Sequence, residues 1–104
     1  SALTRPPRQA PELDGRRDEP AFYTALDRFQ ALLPAPGRRW QWCEEAGQGW
    51  LISDQVALPC ALEEKERAPF LRLAPLRKAA LGSEAQRAFA WACYAAGLFL
   101  FPDE

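Results

Sequence analysis

The spacing of the hydrophobic residues changes near Arg38, from a helical pattern to a strand pattern, and this change limits the folds open to the chain. Before that point, apolar side chains recur every three or four residues, as on one face of a helix, and the prolines that follow stop the pattern. The members of this helical stripe are Phe22, Leu26, Phe29 and Leu33. After Arg38, apolar and polar residues alternate, which is typical of strands with one buried face. A chain of 104 residues with both patterns predicts one small domain that combines helices and strands.

Capping residues predict where two helices begin. Asp18 or Glu19 can cap the first helix, and Pro20 suits its first turn because the missing N–H would be unpaired there. Ser83 and Gln86 match a capping box at the start of a second, alanine-rich helix. We therefore expect one helix near each end of the domain.

Three or four short strands are predicted between the two helices. The second of them is continuously apolar and is typical of an interior strand, whereas Pro59 assigns the third to an edge or an irregular segment. The predicted strands are the run around Trp40 and Trp42, Trp50–Ser53, Val56–Leu62 and Phe70–Leu73. The expected fold class is α/β or α+β, a single-domain sandwich in which a three- to four-stranded sheet is covered by an N-terminal and a C-terminal helix.

Residues 1–17 differ in composition from the rest, because they are rich in proline and arginine. We expect a flexible leader, or alternatively an arm that orders on a partner, followed by one globular domain over residues 18–104. No signal-peptide core or membrane-length apolar run is seen in the sequence. Three dispersed cysteines do not form a disulfide framework, so a reduced, cytoplasmic protein is predicted.

The inventory of residues argues against catalysis. The chain has no histidine, so it lacks the commonest general base and metal ligand. Its cysteines and paired glutamates do not have the spacing of a metal or acid–base site, and no glycine-rich phosphate loop is present. The 13 Lys and Arg residues against 14 Asp and Glu leave a formal charge of −1, which predicts no direct binding to nucleic acid or membranes. We predict a protein that is not an enzyme and uses no metal or cofactor.

The chain has 4 Trp, 6 Phe and 2 Tyr, which are more aromatic residues than a core of this size usually requires. Tryptophan and tyrosine are enriched at binding hot spots, where a partner buries a large rigid ring. Either all four tryptophans belong to the core, or at least one lies in an exposed apolar patch. The second alternative predicts a protein-binding module. Stacking of single-stranded bases on these rings is disfavoured by the slightly acidic net charge.

Short motifs at Trp50–Ser53, Ala74–Leu76 and Glu84–Trp91 resemble the psi subunit of the bacterial DNA polymerase III clamp loader. Trp50–Ser53 is similar to the tryptophan-led strand of that family, and Ala74–Leu76 to its Ser-Pro-x-Leu-like step. Glu84–Trp91 is similar to its C-terminal helix. The Glu19-Pro20 helix start and the Phe101–Asp103 ending also resemble members of the family.

The resemblance implies a noncatalytic adapter in bacterial DNA replication. Psi subunits pair with the chi subunit, which contacts single-strand-binding protein, so a chi-like subunit is the implied partner. The family's N-terminal arm, which engages the clamp-loader ATPase subunit, has no counterpart in residues 1–17, and we expect truncation or divergence there. The candidate partner-binding residues are Trp40, Trp42, Trp50, Ile52, Phe70, Leu76, Arg87, Phe89 and Trp91.

A second family offers an alternative. The order of a helix, an acidic glycine turn and short strands is also similar to small class I type III secretion chaperones, which implies a homodimer that binds an unfolded effector segment. An immunity protein or another small regulatory protein is a third alternative. A chaperone should be a stable homodimer, whereas a psi-like adapter should form a 1:1 complex with chi.

Overall fold

The computed structural model describes residues 18–54 and 56–104, which form helices and two antiparallel sheets of three strands each. The helices are α1 (Glu19–Phe29), α2 (Glu64–Arg67) and α3 (Glu84–Ala95), with 3₁₀ helices at Ala68–Leu71 and Lys78–Ala80. The strands are β1 (Ala31–Pro34), β2 (Trp40–Glu45), β3 (Gln48–Ser53), β4 (Ala57–Cys60), β5 (Leu76–Arg77) and β6 (Phe99–Leu100). The predicted α+β class is confirmed, with two sheets in place of one. The leader predicted for residues 1–17 lies outside the described residues.

Helix α1 begins as predicted and ends earlier. The Asp18 carboxylate accepts a hydrogen bond from the N–H of Ala21 at 3.0 Å, which caps the first turn. The helix ends after Phe29 because Gln30 adopts a left-handed conformation with φ of 65°. Leu33, predicted as the last residue of the helical stripe, therefore lies in β1 and is 37% exposed.

Strand β1 is the centre of the first sheet, in the order β5-β1-β6. Leu32 faces Leu76 of β5, and Leu33 faces Leu100 of β6. This sheet ties the segment after α1 to the segments that precede and follow α3. The C-terminal residues therefore return to the sheet.

The second sheet, here called the hairpin sheet, has the order β2-β3-β4. Strands β2 and β3 are joined by Ala46 and Gly47, whose φ values of 54° and 79° are those that a two-residue type I′ turn requires. The register runs from Trp40 opposite Ser53 to Glu45 opposite Gln48. Strand β3 is the central strand, in agreement with the prediction of an interior strand.

The predicted strand over Phe70–Leu73 is wrong. Residues Ala68–Leu71 form a 3₁₀ helix, with Pro69 in its first turn and Phe70 fully buried. The preceding acidic run forms helix α2, with a capping box between Glu63 and Glu66. A run of four residues with three apolar side chains does not distinguish a strand from a buried helical turn.

Helix α3 begins with the predicted capping box and covers the core. The N–H of Gln86 donates to the Ser83 hydroxyl at 3.1 Å, and the Gln86 amide donates to the Glu66 carbonyl at 3.0 Å, which joins α3 to α2. Phe22 of α1 lies at the centre of an aromatic cluster, with ring centroids 5.3–5.5 Å from those of Tyr23, Trp91, Tyr94 and Phe101. Aromatic packing thus holds the two long helices together.

Candidate protein-binding face

Side chains alternate between the two faces of the hairpin sheet, so its three tryptophans do not all lie on the same face. The pairing of Trp40 with Ser53 and of Trp42 with Leu51 places these four side chains on the inner face, which packs on the core. Trp50 is one residue out of phase with Leu51, so it lies on the opposite face. Two tryptophans of the sheet thus face the core and one faces away from it.

The outer face of the hairpin sheet is defined by Gln41, Cys43, Trp50, Ile52, Ala57 and Pro59. Trp50 is at its centre, opposite Cys43 on one side and Pro59 on the other. Trp50 and Ile52 are half-buried, and neither is among the hydrophobic residues packed against the core. Among the described residues, this row of apolar side chains is therefore supported by the sheet alone.

Trp40 is a core residue with a fixed polar contact. Its side chain is 6% exposed, and its ring centroid lies 5.0 Å from that of Phe99. The indole N–H donates to the Phe70 carbonyl at 2.7 Å, so the 3₁₀ helix and β2 are held together by a buried hydrogen bond.

Trp42 lies between the backbone of Gly49 and the side chain of Arg67. A Cβ atom at Gly49 would overlap the Trp42 ring and lie 3.2 Å from the Cys60 carbonyl oxygen. On its other side, the Arg67 guanidinium is 4.2 Å from the ring centroid, in cation–π geometry. The glycine in β3 is therefore needed so that the indole can lie flat across the sheet.

The other predicted partner-binding residues are placed away from the outer face. Phe70, Leu76 and Phe89 are at most 8% exposed and belong to the core together with Trp40. We therefore assign these side chains to structure and do not include them in a docking surface. Of the nine predicted residues, the structure brings only two together on the outer face, Trp50 and Ile52.

Arg87 and Trp91 lie on α3, where both are half-buried. The Arg87 guanidinium donates to the Leu81 carbonyl at 3.0 Å, which ties α3 to the preceding loop. The Trp91 ring lies 5.5 Å from the Phe22 ring and packs against the core. Both contacts support the helix, and neither involves a residue of the hairpin sheet.

A groove of about 490 Å³ continues from the outer face at the end where β2 begins. It is lined by Arg39, Gln41, Ile52 and Asp54 among others, and by Leu73, which is 39% exposed at a positive φ of 50°. The residues predicted from the sequence did not include Arg39 and Leu73 of the groove, nor Cys43 and Pro59 of the outer face. Cys43 and Pro59 could have been identified from the pairing of β2 and β4 with β3, because both lie opposite Trp50. Leu73 reaches the groove through a bend in the chain that no sequence motif indicates.

A second pocket, between α1 and α3, is held by internal contacts. Tyr23 donates to the Glu19 carboxylate at 3.0 Å, and burial and this hydrogen bond raise the pKa of Tyr23 to about 12. Lys78 pairs with Asp27 at 2.5 Å at the same pocket. The first contact lies within α1, and the second joins α1 to the 3₁₀ helix Lys78–Ala80.

The three thiols differ in environment. Burial raises the pKa of Cys60 and of Cys93, so both stay protonated at neutral pH and are poor nucleophiles. Cys43 is half-buried on the outer face.

Within residues 18–54 and 56–104, no three His, Cys, Asp or Glu side chains are grouped as a metal site requires. In the same residues, no helix has both the length and the apolarity to cross a membrane.

No family model matches this chain, and no curated protein or solved structure matches it. The similarities to psi subunits and to secretion chaperones therefore stay predictions, the first from short motifs and the second from the order of elements.

Proposed function

We propose that this chain is a noncatalytic protein-binding module that docks an apolar segment of another polypeptide on the outer face of its hairpin sheet. The observation that carries this proposal is the position of Trp50 and Ile52 on a face that is not packed against the core. The absence of histidine from the whole chain supports a role without acid–base chemistry.

The composition of this face fits a docking surface. A half-buried tryptophan loses its remaining contact with water when a partner covers it, at about 25 cal/mol per Å² of apolar surface. Polar and charged residues surround the apolar row, with Gln41 and Gln48 beside it and Glu45 at the hairpin end. An apolar centre with a polar rim is the usual anatomy of a protein interface.

The finer proposal is that the partner belongs to a bacterial clamp loader, with a chi-like subunit in first place. It is supported by the overlap between the outer face and the strand Trp50–Ser53, which carries the resemblance to psi subunits. Trp50 and Ile52 of this motif point outward, whereas Leu51 and Ser53 are buried. Binding to the clamp-loader ATPase subunit, a cytoplasmic location and the absence of direct nucleic-acid contact belong to the same proposal.

A comparison of captured proteins tests both levels of the proposal. The tagged chain is incubated with native lysate, and bound proteins are quantified by mass spectrometry for wild type, Trp50→Ala and Leu33→Ala. Leu33 is a suitable control because it is an exposed apolar residue of the other sheet. We expect Trp50→Ala to weaken binding by about 2–4 kcal/mol, as at interface hot spots, and Leu33→Ala to leave it unchanged.

The outcomes separate the two levels. Clamp-loader subunits that are captured by wild type and lost with Trp50→Ala support both the docking face and the adapter role. A different protein with the same dependence on Trp50 supports the docking face and overturns the clamp-loader assignment. If every captured protein binds Trp50→Ala as well as wild type, the outer face is not the docking surface.

A further inference from the structure

The outward edge of β2 has backbone groups that no other strand of the described residues uses. In a hairpin with a two-residue turn, the flanking pair, here Glu45 and Gln48, exchanges hydrogen bonds, and such pairs then alternate along the strands. The N–H and C=O groups of Trp40, Trp42 and Glu44 consequently point away from β3. None of the described backbone hydrogen bonds outside the helices and paired strands involves these three residues.

The other edge of the hairpin sheet is protected. The same alternation directs Leu58 and Cys60 of β4 toward β3 and directs Ala57 and Pro59 outward. Because Pro59 has no N–H, it cannot donate to an added strand, and proline on an edge is a common protection against pairing. The structure thus blocks pairing at β4 and leaves β2 able to pair.

The charges at the two ends of β2 are self-complementary. Arg39 precedes the strand and Glu45 ends it, and both side chains are exposed. The alternation of β2 places both on the side of the outer face. Among the described residues, neither side chain has an ion-pair partner, whereas the neighbouring Arg38 lies 4.0 Å from Asp54. An antiparallel second copy would bring each charge against its opposite.

We propose that β2 pairs antiparallel with β2 of a second copy of this chain, with Trp42 opposite Trp42 of that copy. In this register the outward backbone groups of Trp40 meet those of Glu44 in the second copy, so every added pair can exchange hydrogen bonds. The same register places Arg39 opposite Glu45 of the second copy, and the reverse pair follows from the two-fold symmetry.

The dimer joins the two hairpin sheets into one continuous sheet. Its two-fold axis is perpendicular to the sheet, so the outer faces of both copies lie on the same side. The two rows centred on Trp50 then lie next to each other, in a surface twice as wide. This inference does not depend on the proposed function, because strand pairing uses the backbone of β2 and needs no partner on the outer face.

Charge exchange tests the register as well as the dimer. Sedimentation equilibrium of the full chain, over a wide range of concentration, gives the dimer dissociation constant for wild type, Glu45→Arg, Arg39→Glu and a control, Glu64→Arg. Glu64 is exposed on α2, so the control has the same change of charge on an element other than β2. We expect either edge variant to weaken the dimer by about tenfold or more, because two attractive pairs become two repulsive ones, while the control stays near wild type.

Sedimentation equilibrium of an equimolar mixture of Glu45→Arg and Arg39→Glu is the decisive experiment for the register. One chain then carries two arginines and the other two glutamates, so the heterodimer regains both attractive pairs and should form with near wild-type affinity. Circular dichroism checks that each variant keeps its fold, as expected for exposed positions.

Three results would overturn the proposal. These are a wild-type chain that stays monomeric throughout, an effect of Glu64→Arg equal to that of Glu45→Arg, and a mixture that dimerises no better than its components. A monomeric chain that still captures a partner through Trp50 would overturn the dimer and leave the proposed function standing.

Discussion

Gly49 and Trp42 occupy the same space in the hairpin sheet, since the indole lies where a side chain at position 49 would be. We expect Gly49→Ala to destabilise the fold by about 1–3 kcal/mol, because the methyl group must displace the Trp42 ring in a packed environment. Chemical denaturation with urea measures the free energy of unfolding of each variant. The matched control is Gly82→Ala, since a Cβ at Gly82 meets no atom within 4 Å.

The cause of that loss can be isolated in a Trp42→Ala background. With the ring removed, the additional cost of Gly49→Ala should fall to less than about 1 kcal/mol, since residues in direct contact are not additive. An equal cost of Gly49→Ala in both backgrounds would show that backbone strain, and not the indole, requires glycine in β3.

A second prediction at the scale of single residues concerns the buried hydrogen bond of Trp40. Trp40→Phe keeps most of the apolar ring but leaves the Phe70 carbonyl without its donor at 2.7 Å. We expect a loss of about 1–3 kcal/mol in the free energy of unfolding, the cost of an unsatisfied buried polar group. Trp91→Phe is the control, because none of the described hydrogen bonds uses the Trp91 indole and the side chain is half-buried. Equal losses for the two variants would refute a specific role for the hydrogen bond.

At the scale of elements, local signals in the sequence predicted where structure begins. The capping residues located the starts of α1 and α3, and alternation located β2 and β3, because these patterns act through neighbouring residues. Strands β5 and β6 have two residues each and show no periodicity. They are defined by pairing with β1, a long-range contact that the sequence does not display. The end of α1 depends on a left-handed Gln30, a conformation that glutamine does not signal.

The candidate site could likewise be predicted only in part, because it depends on long-range contacts. Trp50 and Ile52 were among the predicted residues, together with buried ones such as Trp40 and Phe70. Alternation divides a strand into two faces without showing which face the helices cover. The register with β4 and the packing of α2 decide this, and both are tertiary features.

Helix α3 provides the prediction at this scale. Ser83→Ala removes the acceptor for the Gln86 N–H, at 3.1 Å, and breaks the capping box. We expect a loss of about 1 kcal/mol in stability, measured by thermal or urea unfolding. Ser83→Asp should keep the wild-type value, because aspartate accepts the same hydrogen bond and favours the positive end of the helix dipole. Equal stability of the alanine and aspartate variants would contradict the role of the cap.

At the scale of the whole molecule, three of the described ionisable groups have raised pKa values and lose their protons only in the alkaline range. Burial raises the pKa of Cys60 and Cys93 above the ordinary value of 9.0, and burial with the Glu19 hydrogen bond raises that of Tyr23 from 10.0 to about 12. The folded state therefore holds these protons more tightly than the unfolded state. Their contribution to stability is complete below pH 9 and is lost as the pH rises through the folded-state values.

We accordingly expect the urea midpoint of unfolding to fall steadily as the pH is raised above 9, the ordinary pKa of the two buried thiols. Cys93→Ala should reduce this dependence, because Cys93 is fully buried and its thiolate is disfavoured only in the folded state. Cys43→Ala is the matched control, since Cys43 is half-buried on the outer face.

Alkylation with iodoacetamide under native conditions tests the same buried environment by an independent measurement. Mass spectrometry should show Cys43 modified first, with Cys60 and Cys93 modified only in denaturant, because a buried, protonated thiol is neither accessible nor nucleophilic. If Cys93 reacted as fast as Cys43 in the folded chain, Cys93 would not be buried. The fall of the urea midpoint at alkaline pH would then need another explanation. If Cys93→Ala left the pH dependence unchanged while the alkylation order held, Tyr23 and Cys60 would be the groups that couple folding to pH.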